Sequence, residues 1–201
     1  MNLRQDVRRN RAKIVQAATD VFRESGAAAP LDLVAQRAVV GRGTLYRHFP
    51  DRSALLAAVL EKRVETLEEY ARTYQGEDLL ERLIVEICWF QVDLPGLVPT
   101  IRALAEERQA LDGVVQRTQR LLAVALERAR HAGAVRPGTS LVDAFLVIAM
   151  LDGVITAQSS SPLPAPVERA LELALRGLRP ESRGDLPIPV PELRLGPGRT
   201  A

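Results

Sequence analysis

The sequence predicts an all-α protein of about nine helices, with a unit of short helices at the N-terminus and a helical bundle behind it. Three observations predict it. Apolar residues recur at three- and four-residue spacing along most of the 201 residues. Gly and Pro fall between these periodic stretches, where helices stop. The chain is 47% apolar but only 4% aromatic, a composition suited to helices packed through Ala and Leu.

Ile14, Ala17, Ala18, Val21 and Phe22 form the stripe of a first amphipathic helix, which stops at Ser25-Gly26. Pro30 suits the first turn of a short second helix with Leu31, Val34, Ala35 and Ala38 inward. Val39-Val40-Gly41 forms a tight turn. A third helix over Arg42-Gly43-Thr44-Leu45-Tyr46-Arg47-His48-Phe49 turns Leu45 and Phe49 inward, leaving Arg42, Thr44, Tyr46, Arg47 and His48 around the remaining surface. Asp51 is a good N-cap for a long fourth helix with Leu55, Leu56, Val59, Leu60, Val64 and Leu67 on one side. This helix leaves the N-terminal unit and enters the body, so it is the expected lever between them.

Asp78 opens a fifth helix carrying Leu79, Leu80, Leu83, Ile84, Ile87, Cys88 and Phe90, ended by Pro95-Gly96. Pro99 opens a short sixth with Ile101, Leu104 and Ala105. Residues 112–132 form a seventh, closed by Gly133, with Arg130 and His131 at its negative end. Ser140-x-x-Asp143 resembles a capping box ahead of an eighth helix, Phe145 to Gln158, apolar and so expected to be buried on nearly every face. Its Ala149, Gly153 and Ala157 allow close helix approach. Ser159-Ser160-Ser161-Pro162 breaks the chain, and Val167, Ala170, Leu171, Ala174, Leu175 and Leu178 mark the ninth helix. The prolines after Arg179 exclude another helix and make 180–201 an extended or disordered Pro-rich tail. The last two helices carry more apolar surface than one subunit covers, which fits a homodimer contact of four helices. Burial within the monomer is the competing reading.

The net charge of +2 hides an asymmetry: residues 1–56 hold 10 Lys/Arg against 5 Asp/Glu, and the remainder 17 against 20. Arg4, Arg8, Arg9, Arg11 and Lys13 open the chain with only Asp6 against them. Such a segment points to a polyanion partner for that quarter alone. Two short helices around a tight turn make a helix-turn-helix, whose second helix fits the major groove of double-stranded DNA. Arg42 is the cation placed to bind guanine bidentately. Tyr46 and His48 suit phosphate, and Thr44 a base or its methyl group. An ordinary solvated helix face is the alternative for this stretch, and a helical ligand- or protein-binding module without specific DNA binding is the alternative for the whole.

Catalytic and metal constellations are absent from the sequence. His48 and His131 lack Cys or His neighbours at ligand spacing, Cys88 lies on an apolar helix, and no phosphate-binding Gly loop occurs. No enzyme activity, metal or cofactor is therefore expected. A single cysteine, a polar start without an apolar signal core and no bilayer-length apolar run predict a soluble, cytoplasmic protein with no membrane partner. For a cavity in the body, Trp89, Phe90 and Phe145 are candidate walls, and Arg102, Gln119 and Asp152 candidate polar groups that orient a ligand.

The stretch from Ala38 to Leu56, and above all Gly43-Thr44-Leu45-Tyr46-Arg47-His48-Phe49, closely resembles the signature of TetR-type regulators, over residues 8 to about 60. The resemblance implies a homodimeric, all-helical transcription regulator, usually a repressor, whose C-terminal domain senses a small molecule. It implies that Arg42, Gly43, Thr44, Tyr46, Arg47 and His48 face DNA and that Arg52 meets phosphate. The basic opening of the chain places Arg4, Arg8, Arg9 and Arg11 near the adjacent backbone. The implied organisation is a DNA-binding domain over 1–50, a connecting helix over 51–75, an effector-binding and dimerisation domain over 76–179, and the tail over 180–201. The effector, the operator and the sign of regulation stay open. This chain departs from the family at Val39, where Gly is usual, and at Gly41, where Ser or Thr is usual. A Val at positive φ is strained by about 1–2 kcal/mol, so the turn is expected to shift and keep Val39 at negative φ.

Overall fold

Nine helices account for most of residues 3–104, 109–157 and 165–180, which the computed structural model describes, with side chains from residue 6 onward except at Gln109. The expectations for the Ser159–Pro162 break and for the tail beyond Pro180 lie outside the described residues. In order the helices are α1 Leu3–Ser25, α2 Leu31–Arg37, α3 Arg42–His48, α4 Arg52–Thr73, α5 Leu79–Asp93, α6 Leu97–Ala103, α7 Gln109–His131, α8 Leu141–Ala157 and α9 Ala165–Arg176. No single described helix is long and apolar enough to cross a membrane.

The N-terminal unit closes around Ile14, Phe22, Val34, Leu45, Phe49 and Leu55, all at most 1% exposed. Leu45 and Phe49 are the inward pair that their i, i+4 spacing predicts. The body has its own core of α5, α7, α8 and α9 side chains, among them Leu83, Ile84, Leu122, Leu151 and Val167. The α4 helix joins the two: Leu55, Leu56 and Val59 belong to the first core, and Leu67 to the second. Between them Ala57 and Val64 pack on Leu111 and Val114 of α7. Asp51 caps α4 as expected, accepting from the Ala54 N–H at 2.7 Å.

A second connection was not foreseen. The corner between α5 and α6 turns through Gly96 at φ 74°, and its Leu94 and Leu97 are buried in the N-terminal core. The Ala27 N–H donates to Pro95 O at 2.8 Å. Gly26 allows that approach: its φ is 83°, and a Cβ there would stand 3.1 Å from Pro95 O. The body thus grips the N-terminal unit both through α4 and through this corner.

Several boundaries differ from expectation for identifiable reasons. The sixth helix starts at Leu97, not Pro99. Pro99 is its third residue, where a missing N–H costs nothing, because the first four helical N–H groups have no intrahelical acceptor. The eighth starts at Leu141, directly behind the capping box: the Ser140 N–H donates to Asp143 Oδ2 at 2.7 Å, and the Ser140 hydroxyl to the same oxygen at 2.8 Å. Those bonds hold the Asp143 carboxyl below the usual carboxylate range. The expectation that this helix is buried on nearly every face is corrected within one chain. Val142, Leu146 and Met150 are more than half exposed, and Ala149, Gly153 and Ala157 share their surface.

The expectation of negative φ at Val39 is overturned: its φ is 55°. The reason is the end of α2. The Val39 N–H donates to Gln36 O at 3.1 Å and the Val40 N–H to Ala35 O at 3.0 Å, the paired bonds of a Schellman ending. Shifting the turn would forfeit both bonds and withdraw Val40 from the core it packs against. With 89% of Val39 exposed, its side chain gains no burial to offset the strain. Val39→Gly should therefore stabilise the protein by about 1 kcal/mol, measured as a higher urea midpoint, after allowing for the entropy Gly adds to the unfolded chain.

Cys88 is fully buried, and burial pushes its thiol up to about 12. Alkylation by iodoacetamide at pH 8 should stay slow until denaturant unfolds the body, because only the thiolate attacks. Rapid labelling of the folded chain, followed by mass spectrometry, would contradict this.

Candidate nucleic-acid interface

The third helix stands out from the N-terminal unit on two buried side chains and shows the rest of its surface to solvent. Its N-cap is Gly41, extended at φ −70° and ψ 151°, which offers no side-chain bond to the helix start. The first-turn N–H groups of Thr44 and Leu45 instead close on Gly41 O at 2.9 and 3.1 Å. No side chain caps the N-terminal end with a hydrogen bond.

Of the predicted base-facing residues, Arg42, Gly43, Tyr46 and Arg47 are exposed, and Thr44 and His48 half-exposed. They are spread around the surface that Leu45 and Phe49 leave free. Gly43 has no internal reason to be Gly, since a Cβ there would meet nothing within 4 Å. Gly in a helix destabilises it, and a bare backbone at this point leaves room for another molecule to approach closely. Arg42 reaches across the turn to an ion pair with Asp32 in the first turn of α2. With the guanidinium 72% exposed, the pair contributes little stability but limits where the head can go.

The predicted phosphate contacts are less uniform. Arg52 Nη1 donates to Ala27 O at 2.8 Å, and burial draws the Arg52 pKa down. This guanidinium is a clamp on the α1–α2 turn, whatever else it touches. Arg11 lies over the Phe49 ring at 5.1 Å and 3.9 Å from Glu61, while Arg9 pairs with Asp6 at 2.9 Å. Arg8 is exposed on α1. The side chain of Arg4 lies outside the described residues.

The six residues proposed for a cavity do not converge. Phe90 packs towards the N-terminal core, under the Arg63 guanidinium, and Phe145 towards the body core. Trp89 is half-buried and Gln119 exposed. Only Arg102 and Asp152 meet, at 3.3 Å. Asp152 lines a cavity of about 330 Å³ between the end of α5, the α5–α6 corner and α8, and so does Gln91, which sequence reasoning missed. The one available signal was a lone amide in the apolar run Trp89-Phe90-Gln91-Val92.

Comparison with known proteins finds two family matches along the chain. Residues 14–59 match the N-terminal model of bacterial regulatory proteins of the tetR family, and residues 75–180 match the C-terminal domain of SbtR-like transcriptional regulators. The crystal structure of a TetR transcriptional regulator from Streptomyces coelicolor is 31% identical, covers 86% of this chain and 99% of its own, and superposes with a TM-score of 0.62. The regulator FadR from Bacillus subtilis, solved with stearoyl-CoA, shares the fold at 20% identity and a TM-score of 0.58, covering 84% and 99% of the two chains. Among curated proteins, the HTH-type transcriptional regulator TtgR of Pseudomonas putida is 33% identical over 81 residues, 40% of this chain and 39% of its own. An HTH-type transcriptional repressor of Mycobacterium tuberculosis is 36% identical over 74 residues, 36% and 39% of the two chains. The match thus spans about two-fifths of the length of these curated relatives.

Proposed function

Because the chain belongs to the TetR family of bacterial transcriptional regulators, we propose that it binds a palindromic DNA operator as a homodimer and represses transcription until a small molecule occupies its body. The observation that carries this reading is the α3 surface: cations, hydroxyls and an imidazole raised on two buried anchors, with Gly43 open to close approach.

In this reading Arg42 takes a guanine edge, Thr44 a neighbouring base, and Tyr46, Arg47 and His48 the flanking phosphates and bases. Arg8 and its neighbours on α1 add counter-charge near the backbone. The uncovered stripe of Val142, Leu146 and Met150 on α8, with Leu173 exposed on α9, supports pairing of two copies through these helices. Two reading helices must then stand about 34–36 Å apart to meet successive major grooves. A ligand that binds better to a differently spaced dimer releases the DNA. Both α4 and the α5–α6 corner are placed to carry such a change.

The test is a mobility-shift competition at physiological salt, between DNA from the upstream region of the protein's own gene and random DNA of equal length. A specific regulator should favour the first by about 10³-fold or more. Equal affinity for the two would overturn the reading.

A further inference from the structure

The corner that joins the body to the DNA-reading unit also walls the cavity of about 330 Å³, a size typical of small-molecule sites. Val92, Val98 and Ile155 make its lining largely apolar. Three polar side chains interrupt that lining: Gln91, Asp152 and Thr156. Gln91 Oε1 is buried with no hydrogen-bond partner, which is costly unless something donates to it. Asp152 is 8% exposed, and its carboxylate, an acceptor only, meets Arg102 Nη2 at 3.3 Å, long for a charge-assisted bond. Asp152 is the only charged side chain among the described residues of the lining, and the guanidinium of Arg102 is 68% exposed.

We infer that this cavity binds a small apolar amine, its ammonium donating to the Asp152 carboxylate. The hydrocarbon part lies against Val92, Val98 and Ile155. An anion of the same shape would face the Asp152 carboxylate and is disfavoured by charge. The inference rests on the proposal that the body receives the effector, and it names that effector's chemistry. The site is well placed to act: Pro95 and Leu97 line it, Pro95 O accepts the Ala27 N–H, and Leu97 is buried in the core of the reading unit.

Isothermal titration calorimetry of the full chain at pH 7, with 4-phenylbutylamine and 4-phenylbutyrate as probes of matched shape, tests this. The amine should bind at least about tenfold tighter than the acid, and Asp152→Asn should weaken the amine by a similar factor. Arg102→Ala, at an exposed position, should strengthen amine binding by freeing the carboxylate. Absence of amine binding, equal binding of the two probes, or an unchanged amine affinity in Asp152→Asn overturns the inference. If Asp152→Asn does not fold, weaker amine binding by Arg102→Ala does so. The shift assay on the same preparation separates the two proposals. Amine binding without DNA preference sinks the regulator and leaves the cavity, and the reverse outcome sinks the cavity alone.

Discussion

Leu94→Ala should lower the unfolding free energy by about 2–5 kcal/mol, seen as a reduced urea midpoint with little change in slope. Leu94 sits at the C-cap of α5, remote in sequence from the first 60 residues, yet it is wholly buried among their side chains. Truncating it removes buried methyl groups and leaves a void beside Leu97, where the α5–α6 corner is held by the Ala27–Pro95 bond and cannot collapse freely. A loss below about 1 kcal/mol, as for an exposed site, would mean that the corner is not seated in the reading unit.

The second large effect belongs to Arg42. Arg42→Ala should leave stability within about 0.5 kcal/mol, because an exposed ion pair with Asp32 contributes little. Its discrimination between operator and random DNA should fall by about 1–3 kcal/mol, roughly a tenfold to hundredfold loss in a competition shift assay. An equal loss of affinity for both DNAs would reassign Arg42 to phosphate. Arg52 makes an instructive contrast. Removing it abolishes a charge near the DNA face and also leaves Ala27 O without its 2.8 Å donor, so binding and the α1–α2 turn would suffer together. That double role makes it a poor probe of phosphate contact.

Much of this was legible in the sequence, and the limits are physical. Leu45 and Phe49 face inward, Asp51 caps α4 and Ser140 pairs with Asp143, because local spacing and local hydrogen bonds decide those features. Val39 was misread because its conformation follows from two backbone bonds at the end of α2, and no side chain announces them. Leu94 and Leu97 were recognisable as apolar, but periodicity says which side of a segment is buried and not what covers it. The same limit separated Trp89, Phe90 and Phe145 from the cavity. Gln91 escaped because an amide that lacks a partner looks, in sequence, like one that has found it.

The bare stripe on α8 has a consequence for how sharply such a regulator responds. If free subunits must first join through it, operator occupancy at low copy number rises with the square of subunit abundance, not in proportion to it. Each halving of the pool would then cut that occupancy about fourfold, even before any ligand arrives.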